Sequence, residues 1–201
     1  MNKVLIINAH QFYKDFSEGE LNKSMVNIAK ELLSENGFKV RLTDIEKGYD
    51  INDEVENHLW ADLIITQSPV FWFGTPWIYK KYADEIFSTG LASGTLVADD
   101  GRTRKDPSKQ YGTGGKMQGK KYLLSLTWNA PKEAFDNEQQ FLFEGRSVDD
   151  VFIGNTTNYK FSGAEVLPCF SCFDVRKNPD IENDISRYKQ HLTNIINDRS
   201  D

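Results

Sequence analysis

Three short segments of this 201-residue chain carry side chains whose types and spacing suit ligand chemistry. The segment Asn8 to Asn22 leads into an amphipathic run, so it should deliver the start of a helix. Free backbone N–H groups and the helix dipole at such a start attract phosphate. Ser17 and Asn22 can add hydrogen bonds there, and His10 can pair with an anion. Ser17 also stands three residues before Glu20, the spacing of a capping box, so it serves equally as a plain N-cap. The spaced glycines of a dinucleotide fingerprint or a P-loop are missing. The second segment reads Pro69-Val70-Phe71-Trp72-Phe73-Gly74-Thr75-Pro76-Trp77. Three consecutive aromatics between stiffening prolines offer a rigid, flat, apolar surface. That surface suits stacking on a planar ring, or else a dimer contact or a packed loop cluster. The third segment reads Thr127-Trp128-Asn129-Ala130-Pro131. Its backbone N–H groups can line the polar edge of a bound ring and stabilise negative charge there. Its plain alternative is a strand end with a buried Trp128.

The elements that must position these segments are legible as periodic runs. Val4 to Ile7, Leu63 to Ile65 and Tyr122 to Leu126 are compact apolar runs that read as buried strands. Leu21, Met25, Ile28, Ala29, Leu32 and Leu33 recur at helical spacing, closed by Gly37. Lys39 to Ile45 alternates and reads as a second strand. A short helix is expected over Asp53 to Ala61, with Val55 and Leu59 on one face, and another from about Pro76 to Ser88. Ala164 to Phe173 holds a fifth strand, and Ile181 to Ile196 a closing helix with Ile185, Tyr188, Leu192 and Ile195 on one side. Strands alternating with helices imply a mostly parallel sheet covered on both faces, as a single α/β domain over residues 1–201. Ligands bind outside the carboxyl ends of such strands, where all three segments fall. Two stretches break the alternation. They are the glycine-rich, charged Gly90 to Lys121 and the long excursion Asn129 to Gly163.

A net charge of −6 argues against general affinity for nucleic acid or anionic membrane. The first apolar run is too short for a signal peptide and no run approaches a membrane span, so a soluble, cytoplasmic protein is expected. Cys169 and Cys172 have redox or zinc spacing but sit in a predicted strand, where their side chains diverge. They read as buried strand cysteines, and no metal site is expected. Arg102, Arg104, Lys105 and Lys109 form a basic cluster that is either a solvated loop or a clamp for a 2′-phosphate.

Taken together, the chain resembles the NAD(P)H:quinone oxidoreductases of the flavodoxin superfamily, and within them the modulator of drug activity B (MdaB) group. The matching stretches are Val4 to Asn8, Leu59-Trp60-Ala61-Asp62, Gly101 to Lys109, Gln118 to Tyr122 and Leu124 to Pro131. The Pro-x-x-Trp-Phe-Gly-x-Pro pattern at Pro69 to Pro76 is shared with the wider family. The resemblance covers essentially the whole chain. It implies a flavodoxin-like three-layer sandwich around a five-stranded, mostly parallel sheet of order 2-1-3-4-5. It implies FAD, with NADPH favoured as hydride donor, a quinone as substrate, and a ping-pong cycle of two-electron reduction to hydroquinone.

The resemblance also implies site residues. His10, Phe16 and the run Ser17, Glu18, Gly19, Glu20, Leu21, Asn22, Lys23 and Ser24 would hold the diphosphate side. Pro69, Val70, Phe71, Trp72 and Phe73 would border the isoalloxazine, and Thr127, Trp128, Asn129 and Ala130 its polar edge. Tyr111 matches a flavin contact, and Tyr111 or Tyr159 would donate a proton to the quinone. A homodimer is implied, with the active site at the subunit interface and Gly90 to Lys121 as a dimer and pocket loop. Ala9 to Tyr13 departs from the MdaB pattern toward the wider family, and Glu144 to Phe161 aligns poorly, which leaves the acceptor open. Azo- or nitro-reduction on the same scaffold is the alternative within enzymes. A flavodoxin-like electron carrier with FMN is the alternative from another class, disfavoured by the aromatic pocket and the long covering loop. A nucleotide-sensing domain without turnover is a third, and colourless protein would mark it.

Overall fold

The computed structural model describes residues 1–198, so the last three residues of the expected 1–201 domain lie outside the described part. Strand β1 (Lys3–Asn8) leads through the first loop to helix α1 (Glu20–Glu35) and strand β2 (Lys39–Asp44). Helix α2 (Ile51–Trp60), strand β3 (Leu63–Pro69) and helix α3 (Trp77–Ala92) follow, and then strand β4 (Lys121–Thr127). The second long excursion contains the short helix α4 (Val148–Val151) and helix α5 (Ile153–Phe161). Strands β5 (Glu165–Val166) and β6 (Phe170–Cys172) and helix α6 (Ile181–Asn197) close the chain.

The sheet is parallel throughout, in the order β2-β1-β3-β4-β5, with β6 also on β4. This is the flavodoxin-like order expected. The alternation of side chains across the strands sorts the core into two layers. Val4, Ile6, Leu63, Ile65 and Leu123 meet Met25 and Leu33 of α1 and Tyr188 and Leu192 of α6 on one face. Leu5, Ile7, Ile64, Leu124 and Leu126 meet the side chains of α2, α3 and α5 on the other.

Several boundaries differ from expectation for local reasons. The expected second strand stops at Asp44 because Ile45 begins a 3-10 turn. Helix α2 starts two residues early because the Asp50 carboxylate caps the N–H groups of Asn52 and Asp53. Leu59 is exposed rather than sharing the buried face with Val55. Helix α3 runs on to Ala92, past the expected Ser88. The fifth strand is two pieces: Glu165 pairs with Lys121, but Phe170 pairs with Ser125, so one residue is extra between them. Pro168, which has no N–H to give the ladder, lies in that break. The stretch after α3 is an ordered excursion that folds back on itself. Ala98 N–H donates to Gly114 C=O at 2.8 Å, and Met117 N–H donates to Ser162 C=O at 2.7 Å.

The inward face of α2 is polar. Its Glu54 carboxyl group is buried and accepts from Thr43 Oγ1 at 2.8 Å, Asn57 Nδ2 at 2.7 Å and Tyr82 OH at 2.5 Å. His58 Nδ1 lies 2.8 Å from Glu54 C=O, so that nitrogen carries the proton, and Nε2 faces the Tyr159 hydroxyl at 3.4 Å. Burial pushes the His58 pKa below 6.5. The folded chain therefore holds this imidazole neutral at pH values where the unfolded chain protonates it. The stability it contributes is fully present above pH 6.5 and is lost as pH falls from there toward the folded pKa. The loss is up to about 1.4 kcal/mol per pH unit for one such group. Urea unfolding of wild type and His58→Gln between neutral pH and about pH 5 should show a shallower pH dependence in the variant. Equal slopes would mean that His58 titrates alike in both states.

Candidate active site

The carboxyl ends of β1, β3 and β4 meet at one edge of the sheet, held in register by polar contacts. Asn22 Nδ2 donates to Asn8 Oδ1 at 2.6 Å, and Gln67 Nε2 donates to Asn22 Oδ1 at 3.2 Å. Val70 N–H donates to Thr127 C=O at 3.0 Å, which ties the second loop to the third. Above this floor lies a cavity of about 290 Å³. Its lining comes from all three loops: His10, Phe16, Ser17, Gly19, Glu20, Leu21 and Asn22; Pro69, Val70 and Phe71; and Thr127 and Asn129. Gln67, which does not itself line the cavity, has a buried Oε1 with no partner among the described residues.

The first turn of α1 opens onto this cavity without a side-chain cap. Ser17 does not form the expected capping box. The N-cap is Gly19, at φ +85°, and Ser17 is instead held two residues further out by reciprocal backbone bonds with Tyr13. Its hydroxyl lies 3.2 Å from His10 Nε2. A Cβ on Gly19 would sit 2.6 Å from the His10 ring, so only glycine fits both the backbone angle and the space. His10 Nδ1 lies 3.9 Å from the Glu46 carboxylate. Burial lowers the His10 pKa, and the Glu46 charge offsets part of that. The result is a concave set of backbone donors at a helix start, beside a histidine and a hydroxyl, which suits a phosphate.

The aromatic wall is a tight turn. Phe71 and Gly74 exchange backbone bonds of 2.8 and 3.2 Å, and Trp72 and Phe73 between them have φ of +49° and +66°. Two consecutive positive φ values mark a primed turn, which ordinarily takes Asn or Gly. Phe71 turns inward, its ring 6.5 Å from His10 and 5.9 Å from Phe16. Trp72 points outward and is 91% exposed. Phe73 leans on Phe143, with ring centres 6.0 Å apart.

Not every residue expected at the site is there. Glu18, Lys23, Ser24, Trp72, Phe73 and Ala130 do not line the cavity. The Lys23 N–H bonds Gly19 C=O, and Ala130 C=O accepts from Asp174 N–H. Trp128 is a core residue, its indole buried against Phe135 and Phe152 with no partner for the indole N–H among the described residues, and its backbone N–H given to Cys172 C=O. Tyr159 is also a correction. It is fully buried, stacked on Tyr122 with ring centres 3.5 Å apart, and lies outside the cavity lining. Tyr111 is 68% exposed on the far side of α3, against Phe161, and is absent from the lining. Arg102 lies over the Tyr111 ring and pairs with Asp100. Cys169 packs on one core layer and Cys172 on the other, and burial raises both thiols, Cys172 to about 12.

Sequence reasoning missed Val175 and Arg176, which complete the lining. The Arg176 guanidinium lies 4.8 Å from the centre of the Phe16 ring and is the one cationic side chain in the lining among the described residues. The signal was available. Both residues follow the last strand, and its carboxyl end belongs to the ligand-binding edge as much as the others.

The topology and the position of this cavity define a protein of the flavodoxin-like class. A family model described as flavodoxin-like fold matches residues 2–195, and the chain belongs to that family. It is 43% identical over 196 residues to the NADPH:quinone oxidoreductase MdaB of Haemophilus influenzae, covering 98% of this chain and 100% of that protein. A solved Klebsiella pneumoniae protein assigned as a quinone reductase superposes with a TM-score of 0.76 at 22% identity, over 97% of this chain and 85% of that one. General stress protein 14 of Treponema denticola, solved with FMN, gives 0.67 at 18% identity over 97% and 99%. These two solved structures share the fold. Among the described residues no helix is long and apolar enough to cross a membrane.

The strained turn makes a direct prediction. Trp72 packs on nothing that its removal would expose, so Trp72→Asn should relieve left-handed strain and raise stability by about 1 kcal/mol. Thermal unfolding of ligand-free protein measures it. A fall in Tm would show that the exposed indole contributes contacts that outweigh the strain.

Proposed function

We propose that the chain is an FAD-dependent NADPH:quinone oxidoreductase, one flavin-binding domain per subunit, acting as a homodimer. The observation that carries this reading is the meeting of a phosphate-type cradle and an aromatic wall in one cavity at the strand ends. The likeness to a relative named as an NADPH:quinone oxidoreductase supports the activity. The choice of FAD over FMN rests on the resemblance to the quinone reductases.

The residues present fit such a cofactor. The uncapped N–H groups of α1, the Ser17 hydroxyl and Arg176 would hold the diphosphate, with His10 buttressing Ser17. Val70 and Phe71 would border the ring, and the Asn129 N–H would meet its polar edge, because the Trp128 backbone N–H is already committed. Bound there, the flavin would supply hydride chemistry, accepting from NADPH and delivering to a quinone in alternation. The protein's part is to orient ring and substrate face to face and to exclude water.

The surface beside the cavity supports the dimer reading. Trp72, Phe73, Trp77, Phe141, Leu142 and Ile153 are all exposed. Exposed apolar surface of this kind beside a binding site marks an interaction surface. In such a dimer the exposed Tyr111 of one subunit would be free to reach the other subunit's cavity. Tyr159 has no such freedom.

Denaturing the purified protein should release FAD. Anaerobic NADPH should bleach it, and menadione should restore the colour. Arg176→Ala should weaken flavin binding by about 10- to 100-fold, the worth of one charge-assisted hydrogen bond. Released FMN, without quinone-driven reoxidation, would favour the electron carrier. No flavin, and none taken up on addition, would end the enzymatic reading.

A further inference from the structure

We propose that Glu46 is a positioning residue for the anion at the strand ends, and that through it binding of the anion is coupled to uptake of one proton by His10. The proposal rests on the reading of that cavity as a phosphate site. Glu46 does not line the cavity. It belongs to the 3-10 turn Ile45–Lys47 after β2, a strand end that contributes nothing to the lining.

The Glu46 carboxylate clasps the first loop. One oxygen accepts from Phe12 N–H at 2.8 Å and from Gln11 Nε2 at 3.1 Å. The other lies 3.9 Å from His10 Nδ1. The second ring nitrogen, Nε2, is 3.2 Å from Ser17 Oγ. The buried ring between them is held in place. The His10 backbone N–H donates to Asn8 Oδ1 at 3.2 Å, and the ring lies where a Cβ on Gly19 would be 2.6 Å away. Glu46, His10 and Ser17 therefore connect the outside of the cavity to its wall.

The proton count on the ring decides what Ser17 can offer. In the free protein burial keeps the imidazole neutral at pH 7, with a single proton. The Glu46 charge draws that proton to Nδ1. A bare Nε2 can only accept, so it takes the Ser17 O–H, and the hydroxyl has no proton left for an anion. For Ser17 to donate into the cavity, Nε2 must donate to Ser17. The neutral tautomer that does so would set the bare Nδ1 lone pair against the Glu46 carboxylate. The imidazolium avoids that conflict. Its Nδ1–H faces Glu46, its Nε2–H faces Ser17, and the Ser17 O–H is released to the anion. The proton comes from solvent, and the new N–H is the only covalent bond formed. The anion's charge and that of Glu46 together offset the cost of burying the cation.

Other charges around the ring are engaged or point elsewhere. Asp44 on β2 pairs with Lys47 at 3.0 Å, and Glu18 accepts from Asp15 N–H at 3.4 Å. Glu20 is exposed at the start of α1, and Arg176 lies over the Phe16 ring. Phe71, from the aromatic turn, adds no charge. Glu46 is the carboxylate that faces a ring nitrogen.

Sulfate is the probe, because it carries the charge of a phosphate and does not itself titrate over the range used. Imidazole NMR signals of the full chain, freed of any flavin, would be followed from about pH 5 to about pH 8.5, with and without sulfate at one ionic strength. In wild type, sulfate should raise the His10 midpoint by about one pH unit, so its affinity should fall about tenfold as pH rises across that interval. His58 and His191 lie outside the cavity, and their midpoints should stay put. Ser17→Ala keeps the backbone bonds to Tyr13 and should lose most of the His10 shift. Glu46→Gln keeps an oxygen for the Phe12 N–H but no charge. The neutral Nε2–H tautomer then serves Ser17, so most of the shift should again be lost, and Glu46→Asp should recover part of it. An unmoved His10 in wild type overturns the coupling. The full shift in either Ser17→Ala or Glu46→Gln also overturns it, since the anion would then act on His10 through space alone. FAD binding with His10 unmoved overturns the coupling and leaves the cofactor reading standing. A sulfate-driven shift in a protein that takes up no flavin supports the coupling and sinks only the cofactor reading.

Discussion

The first turn of α1 leaves backbone N–H groups uncapped at the bottom of a cavity, and the chain around it is arranged to keep them so. A helix start ordinarily takes a side-chain oxygen within its own first residues. Here Gly19 has none to offer, and Ser17 is pulled away by its backbone bonds to Tyr13 and turned toward His10. His10 in turn fills the space that a Cβ on residue 19 would need. Removing the internal cap transfers the donors to whatever anion the cavity accepts. The buried Asn22 and Gln67 amides and the half-buried Asn8 amide then fix the helix start against the strand ends, so the donors point to a constant place.

The opposite layer holds a polar set that is closed on itself. Glu54, Thr43, Asn57, Tyr82, His58 and Tyr159 satisfy one another inside the core, and Tyr79 and Tyr122 continue the set at 3.1 Å between hydroxyls. A network whose members are all paired rigidifies a core at small net cost. The cavity at the strand ends has the reverse character: uncapped donors and a cation left over.

That difference explains what was and was not legible in the sequence. Buried parallel strands read directly from Val4–Ile7 and Leu63–Ile65 because both faces are apolar, and their carboxyl ends point to the right loops. The order of the sheet and twelve of the cavity's lining residues follow from the resemblance and from that rule. Tyr159 could not be placed, because a tyrosine one helix from the site reads the same whether its hydroxyl meets a ligand or His58. The capping box at Ser17 failed because spacing alone does not show that Tyr13 competes for the same backbone. The fifth strand appeared whole because a one-residue offset in pairing leaves its apolar pattern intact. Arg176 was missed although the fifth strand's end at Phe173 was legible, because only three strand ends were read as the ligand-binding edge.

The turn from Phe71 to Gly74 shows how the scaffold carries its least favourable conformation. Trp72 and Phe73 both occupy left-handed backbone that their side chains resist. The backbone bonds between Phe71 and Gly74 close the turn, the Val70–Thr127 bond anchors its base, and Asn155 Nδ2 holds Thr75 Oγ1 at 2.9 Å beyond it. With both ends fixed, the only way to turn Phe71 into the cavity is to rotate the next two residues outward. The exposure of Trp72 is then a geometric consequence of the inward Phe71. The apolar surface beside the cavity and the wall inside it are two faces of one turn, and a change that relaxed the turn would act on both.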